Sequence, residues 1–187
     1  ALALHLFAGG GYEFSSTRNP LKRSNLPLFR QYFAGGPNSM RAWSLRKLGP
    51  GSSIQDFGSR GLPERYGDLQ LEANVEYRFP FFHIAGFDVQ GALFTDVGNV
   101  WYLKKAAGRD PEEIFSLNRL GNDVAVGVGT GLRVDFTFFV VRLDYSYKAK
   151  DPSPTPANAA VQNKWFGYKR WKDGDQFQLG ISFPFIL

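Results

Sequence analysis

The side chains that most often perform covalent chemistry are scarce in this chain. It contains no cysteine and only two histidines, His5 and His83. Nucleophilic catalysis needs a nucleophile held beside a base, and a zinc site needs several Cys or His ligands at short spacing. Neither histidine has such a neighbour in the sequence, and His83 lies in an aromatic stretch typical of a membrane interface. The sequence therefore predicts no enzyme active site, no metal site and no cofactor.

Ion pairing is the chemistry that remains, and three distant residues are suited to it. Arg41 lies in a glycine-rich basic segment, whereas Glu76 and Asp96 lie in segments of alternating polarity. A guanidinium presents a rigid fork of donors that suits carboxylates and that lysine cannot imitate. We therefore expect Arg41 to pair with both carboxylates. The alternative is that these carboxylates pair with arginines of the strands themselves, namely Arg78, Arg133 or Arg142.

The segments that must position these residues alternate between apolar and polar side chains, with the period of two that a β-strand imposes. Between Gly67 and Phe79, for example, the even positions are polar and include Glu76. Segments of about 8–14 residues are close to the ~9–11 residues of a membrane-crossing strand. The pattern predicts six strands: the opening stretch at Leu2, Leu4 and Leu6, then Gly67–Phe79, Phe87–Val97, Asp123–Asp135, Val141–Lys148 and Gln176–Phe183.

The connections between these strands alternate between short and long. Residues 80–86 and 136–140 form short connections, and residues 15–66, 98–122 and 149–175 form long ones. Outer-membrane barrels have this arrangement, with short periplasmic turns and long outer loops. No apolar run approaches the ~20 residues of a membrane-spanning helix. The predicted fold class is all-β, an antiparallel transmembrane β-barrel in a bacterial outer membrane.

Aromatic residues, 16% of the chain, concentrate where the predicted strands end. One group lies around the two short connections, and Trp101 and Tyr102 lie at the opposite end. Two girdles at the membrane interfaces would produce this distribution, and ordinary core aromatics are the alternative. Six strands are too few to close a barrel, since known single-chain barrels have at least about eight. We therefore expect the chain to be the C-terminal portion of a longer barrel, or to close with other segments or chains.

The longest connection, residues 15–66, is basic, with nine Lys and Arg residues against Asp56 and Glu64. One interpretation is a solvated loop that faces anionic lipopolysaccharide. A phosphate-binding loop is another, but no Walker-type Lys-Ser/Thr follows the segment Gly35–Ser39. No nucleic-acid partner is expected.

Three motifs resemble the outer-membrane assembly-factor superfamily, which includes the BamA/TamA-like surface antigen barrels and the two-partner secretion transporters. They are Met40-Arg41-Ala42-Trp43, Glu76-Tyr77-Arg78-Phe79-Pro80, and the segment from Phe94 to Trp101 that contains Asp96-Val97-Gly98. Their order and spacing match over essentially the whole chain. The resemblance implies the last six strands of a sixteen-strand barrel, with one long outer loop folded into its interior.

The resemblance also implies roles for particular residues. The tip of the inward loop would be latched in the barrel by the residues Arg41, Ala42, Trp43, Glu76, Asp96 and Gly98. The family usually has glycine where this chain has Ala42, which removes conformational freedom at the tip. The last strand would meet the first at a weak seam, and the seam residues on it are Phe177, Leu179, Ile181, Phe183 and Phe185.

The function implied by the resemblance is insertion or translocation of proteins at the outer membrane. The seam would open laterally and offer backbone hydrogen-bonding groups to an incoming strand, without covalent catalysis. The implied partners are unfolded outer-membrane or secreted client proteins, outer-membrane lipid and lipopolysaccharide, periplasmic domains upstream, and accessory lipoproteins. A passive outer-membrane channel, or a secretion pore of the two-partner type, is the alternative.

Overall fold

The computed structural model describes residues 1–13, 26–54, 65–84, 86–105, 109–136 and 138–182. Within these ranges six strands form a single sheet in which each strand pairs antiparallel with its neighbour in sequence. The strands are β1 (Leu2–Gly10), β2 (Leu69–Ile84), β3 (Phe87–Trp101), β4 (Ala125–Asp135), β5 (Val140–Lys150) and β6 (Asp175–Ser182). The six antiparallel strands confirm that part of the prediction. The described sheet is open, with β1 and β6 at its edges, so barrel closure and the number sixteen stay predictions.

Helical structure is confined to short segments between the strands. In the described ranges these are the helices α1 (Leu120–Asp123) and α2 (Trp171–Gly174) and the 3-10 turns Leu28–Arg30, Pro111–Glu113, Leu117–Arg119 and Pro156–Val161. None of these helices has the length and apolar character needed to cross a membrane.

The exposed face of the sheet is apolar and its covered face is polar, which is the reverse of a protein folded in water. On one face, called the apolar face here, Leu4 is 61% exposed, Leu93 54% and Leu179 60%. On the other, the polar face, the carboxylates of Asp96 and Asp144 are fully buried. Water would drive the apolar face inward, whereas a lipid surround favours an apolar outside and a polar inside.

Several predicted connections are shorter than expected because the strands continue into them. The predicted turn 80–86 is mostly strand, since β2 runs to Ile84 and β3 begins at Phe87. Pro80 has no amide proton to donate to a ladder, and the pairing of β2 with β3 shifts register between Pro80 and Phe82. At the other end β3 runs to Trp101 and β5 to Lys150, so the loops predicted at 98–122 and 149–175 begin later than the polarity pattern indicated.

The described part of the long loop lies against the sheet instead of extending into solvent. Its residues Ala34, Met40 and Leu48 are fully buried and pack with Val100 of β3 and Ala125 of β4. The arrangement places loop residues 26–54 over the polar face. Among the described residues of segment 15–66, Arg41 and Arg65 are buried and Arg30 is exposed, so the interpretation as a solvated basic loop is wrong for Arg41 and Arg65.

The aromatic residues at the two ends of the sheet differ in exposure. At the short connections Phe81, Phe82 and Phe138 are exposed, as an interfacial girdle requires. At the opposite end Trp101 is fully buried, with its ring 5.5 Å from that of Phe115. The prediction that Trp101 belongs to an outer girdle is wrong, because the loop after β3 folds back over this residue.

Candidate functional site

Arg41 reaches the polar face of the sheet and is bound by Asp96 of β3. The backbone N–H and Nε of Arg41 donate to Asp96 Oδ2 at 3.0 and 2.9 Å, and Nη2 donates to Oδ1 at 2.7 Å. Asn74, the cross-strand partner of Asp96, donates to the same Oδ1 at 3.0 Å. The carboxylate thus holds both the side chain and the main chain of the loop tip, which fixes its position as well as its charge.

The remaining guanidinium nitrogen of Arg41 binds Glu76 of β2. Nη1 donates to Glu76 Oε2 at 2.5 Å. The guanidinium also lies over the ring of Phe94, with Cζ 3.5 Å from the ring centroid. Phe94 is the cross-strand partner of Glu76, so one rung of the ladder supplies both an ion pair and a cation–π contact, each strengthened by the exclusion of water.

Glu76 is shared among three arginines. Arg133 of β4 donates to it through Nε at 3.0 Å and Nη2 at 2.6 Å, and Arg78 donates through Nε at 2.7 Å. Arg133 also binds Asp144 of β5, with Nη1 at 2.5 Å from Oδ1. The two pairing schemes expected from the sequence therefore occur together, because Glu76 accepts from the loop arginine and from strand arginines at once.

Opposite charges alternate in this buried network, and the balance determines how Arg41 ionises. Burial alone lowers the pKa of Arg41, but its hydrogen bonds and the charge of Asp96, together with Asp144 and Glu76, raise that pKa above its ordinary value. Arg41 is therefore a permanent cation. Removing any one partner would leave an uncompensated buried charge, which costs more than the intact pair contributes.

Two arginines lie directly opposite each other on neighbouring strands, an arrangement that repels unless each finds other partners. Arg133 and Arg142 are this pair. Arg133 turns to the carboxylates, whereas Arg142 turns to the loop, where it donates to Pro37 O at 3.0 Å and to Asn38 Oδ1. The loop thus gives Arg142 carbonyl acceptors on the side where it faces the positive charge of Arg133.

The turn before the tip is held from both sides. On the β5 side it contacts Arg142. On the β2 side Ser39 Oγ donates to Glu72 Oε1, and Asn74 Nδ2 donates to Ser39 O at 3.1 Å. Gly35 and Gly36 precede this turn with φ of +108° and +94°, values that residues with a Cβ rarely adopt. The glycines give the chain the sharp entry that delivers the loop to the sheet.

The main chain of the tip is bound by the last two strands. Ser146 of β5 donates to Arg41 O at 2.8 Å, and Gln178 of β6 donates to Trp43 O at 3.1 Å. Ser44 Oγ in turn donates to Gln176 Oε1 at 2.9 Å. The loop tip therefore contacts the sheet from β2 to β6.

Three glycines of β4 provide space for these groups on the polar face. A Cβ at Gly127 would lie 2.9 Å from Ala42 Cβ, one at Gly129 would overlap the ring of Phe94, and one at Gly131 would overlap the carboxylate of Asp144. The alternation of valine and glycine in β4 thus has a packing cause.

The structure places the other predicted latch residues close to the tip but gives them different surroundings. Ala42 and Trp43 are buried in the apolar cluster between loop and sheet. Gly98 lies two residues beyond Asp96, where a Cβ would meet the carbonyl of Leu71 and the side chain of Glu72. Gly98 thus allows β2 and β3 to approach, and Arg41 is not among its closest neighbours.

The predicted seam residues lie on an edge strand. Phe177, Leu179 and Ile181 of β6 are exposed on the apolar face. Phe183 and Phe185 lie outside the described residues.

The two histidines are each paired with one acceptor. His5 Nδ1 lies 2.9 Å from Asn74 Oδ1, and His83 Nδ1 lies 2.7 Å from Asp88 Oδ1. In the part of the chain that the structure describes, no three His, Asp or Glu side chains are grouped so as to hold a metal ion.

Phe94, Asp144 and Gln178 join the site without having been predicted as members, and Arg133, which was expected as an alternative partner of the carboxylates, binds Glu76 together with Arg41. The polarity pattern placed all of them on the polar face of their strands. What it lacked was the register between strands, which sets the rung on which each side chain lies.

Comparison with known protein families decides the relationship of this chain. The model of the Omp85 superfamily domain matches residues 4–185. The chain belongs to the Omp85 superfamily. Neither a curated protein nor a solved structure matches it significantly. Omp85 proteins are β-barrel proteins of the outer membrane, and membership implies, in general, a role in protein insertion or translocation there.

Proposed function

We propose that this Omp85 chain is the C-terminal part of a barrel that inserts or translocates client proteins by lateral opening of a seam. The incoming strand would pair with exposed backbone N–H and C=O groups of an edge strand. Pairing of this kind requires no nucleophile, metal or cofactor. The clients would be unfolded outer-membrane or secreted proteins, served by periplasmic domains upstream and accessory lipoproteins.

The observation that carries the proposal is the contact between the loop tip and both β3 and β6. Asp96 of β3 binds the side chain of Arg41, while Gln178 of β6 binds the backbone of Trp43. In the described sheet β6 is an edge strand, which is the position that a seam requires. A tip that is fixed to β3 and bonded to β6 supports β6 from inside, so its position bears on how readily this edge is offered to a client.

A passive channel or a two-partner secretion pore would share the sheet but would use the loop differently. A two-partner pore would have to move this loop out of the path of its substrate. A passive channel has no need of a loop tip bonded to the last strand. The many contacts between loop and sheet therefore favour a loop that takes part in client insertion over a loop that only narrows a pore.

The test is client insertion by the full-length protein in proteoliposomes. Arg41→Ala is expected to slow folding of an outer-membrane client by at least about tenfold, which corresponds to ~1.4 kcal/mol. This change in the barrier to client folding is smaller than the ~3–5 kcal/mol of stability that is lost when one partner of a buried ion pair is removed. Arg30→Ala is the matched control, because Arg30 lies on the same loop with its side chain exposed.

Electrophysiology separates the competing functions. A channel would show stable conductance that rises when loop residues 35–46 are deleted, and clients would fold no faster than in liposomes without the protein. Acceleration of client folding by the wild type, lost in Arg41→Ala and kept in Arg30→Ala, supports the proposal.

A further inference from the structure

The loop between β5 and β6 presents a surface rich in exposed aromatic and basic side chains. We call it the aromatic–basic surface. Its exposed members are Lys164, Trp165, Phe166, Lys169, Arg170, Trp171 and Lys172. Trp165 is 62% exposed and Trp171 58%. A group of large exposed rings on one surface is typical of a site that contacts a membrane or another protein.

Two of the three rings of this surface, those of Phe166 and Trp171, pack on the sheet. Trp171 stacks on Tyr147 of β5 with ring centroids 4.3 Å apart, and Phe166 stacks on the same ring at 6.0 Å. Trp171 Nε1 also donates to Tyr145 Oη, which donates to Asp175 Oδ2 at 2.8 Å. Because Tyr145 lies within β5 on the exposed apolar face, the aromatic–basic surface adjoins that face.

The charges of the surface are unevenly compensated. Asp173 accepts from Arg170 at 3.0 Å, and Asp175 accepts from Tyr145. Within the described residues no carboxylate lies within 4.0 Å of the ammonium groups of Lys164, Lys169 or Lys172. Among the described residues, three cations without a carboxylate partner therefore lie beside three exposed rings.

We propose that the aromatic–basic surface binds the phosphate groups of anionic lipid headgroups at the outer rim of the barrel. Trp and Tyr side chains favour the headgroup level, where the ring is shielded from water and its polar atom is hydrated. Lysine clusters next to a membrane-embedded segment bind anionic lipid by charge. A docked protein is a poorer fit, since lysine is depleted from protein–protein interfaces.

The inference rests on the membrane placement contained in the proposed function, and it adds a defined lipid contact. Bound headgroups would hold the outer end of β5 and of the edge strand β6 at a fixed depth. The local bilayer around the candidate seam would then be organised by this loop.

The test compares the full-length protein in nanodiscs of phosphatidylcholine alone and in nanodiscs that also contain phosphatidylglycerol. Amide hydrogen exchange of residues 163–174 is expected to be severalfold slower in the anionic discs. The triple variant Lys164→Gln, Lys169→Gln, Lys172→Gln is expected to lose this difference, and the triple Lys→Arg variant to retain it. The folded forms of both triple variants are expected to have the same electrophoretic mobility as the folded wild type, because the three positions are exposed. This control shows that the variants are folded.

Equal amide exchange in the two kinds of disc would overturn the proposal. The aromatic–basic surface would then be explained by a protein partner or by exposure to solvent. A difference that persists in the Lys→Gln variant would overturn it too, because other residues would then carry the binding. Client insertion measured in the neutral discs tests the proposed function separately, so failure of one does not imply failure of the other.

Discussion

Ala42 at the loop tip and Gly127 of β4 share the space of one methyl group. A Cβ added to Gly127 would lie 2.9 Å from Ala42 Cβ, and Ala42 is fully buried. The φ of Ala42 is not positive, so its backbone does not need glycine. The methyl group of Ala42 is thus accommodated by a glycine of β4.

Gly127→Ala is therefore expected to displace the tip and to destabilise the protein by ~1–3 kcal/mol, the usual cost of an extra methyl in a packed interior. Adding Ala42→Gly should recover most of the lost stability, because it removes the methyl group that the new Cβ at position 127 would meet. The measurement is the free energy of unfolding by denaturant. Gly121→Ala is the control, because a Cβ there would have no atom within 4 Å. A double variant no more stable than Gly127→Ala would contradict the shared-space explanation.

Arg41→Lys tests whether the fork of donors matters beyond its charge. A lysine would keep one cation but lose the paired contacts with the two oxygens of Asp96. We expect the free energy of unfolding to fall by ~1.5–3 kcal/mol, the contribution of a hydrogen bond to a charged group. Amide exchange in residues 35–46 should also become faster. Arg30→Lys on the exposed part of the loop should change neither quantity. Equal stability of Arg41→Lys and the wild type would mean that charge alone holds the loop.

The sequence was sufficient to predict the six strands and the face of the sheet on which each carboxylate lies. It was not sufficient to predict the full network of ion pairs. Alternation assigns Glu76, Asp96 and Arg133 to one face, and the guanidinium geometry predicts that arginine binds there. It does not reveal that Arg133 and Arg142 are opposed on one rung, since that depends on register between strands 11 residues long. The burial of Trp101 was missed for a related reason, because it depends on how a later loop folds back.

Phe94→Leu tests the aromatic support of the loop arginine. The ring lies 3.5 Å from Arg41 Cζ, and desolvated contacts of this type contribute about 2 kcal/mol. A double-mutant cycle with Arg41→Met, which removes the cation, isolates that contribution from the smaller volume of leucine. We expect a coupling energy of ~0.5–2 kcal/mol. A coupling of zero would assign the cost of Phe94→Leu to packing against Gly129 alone.

Gln178→Ala tests the bond between the loop tip and the edge strand. It removes the donor that reaches Trp43 O at 3.1 Å. That carbonyl keeps the backbone N–H of Gly36 at 2.8 Å, so we expect a loss of ~0.5–1.5 kcal/mol, the usual contribution of one hydrogen bond. Amide exchange should rise both at residues 42–45 and along β6, because each end of the bond constrains the other. Gln90→Ala is the matched control, since Gln90 lies on the same face at the cross-strand position of Arg133. Faster exchange in the loop with unchanged exchange in β6 would show that the tip rests on the last strand without restraining it.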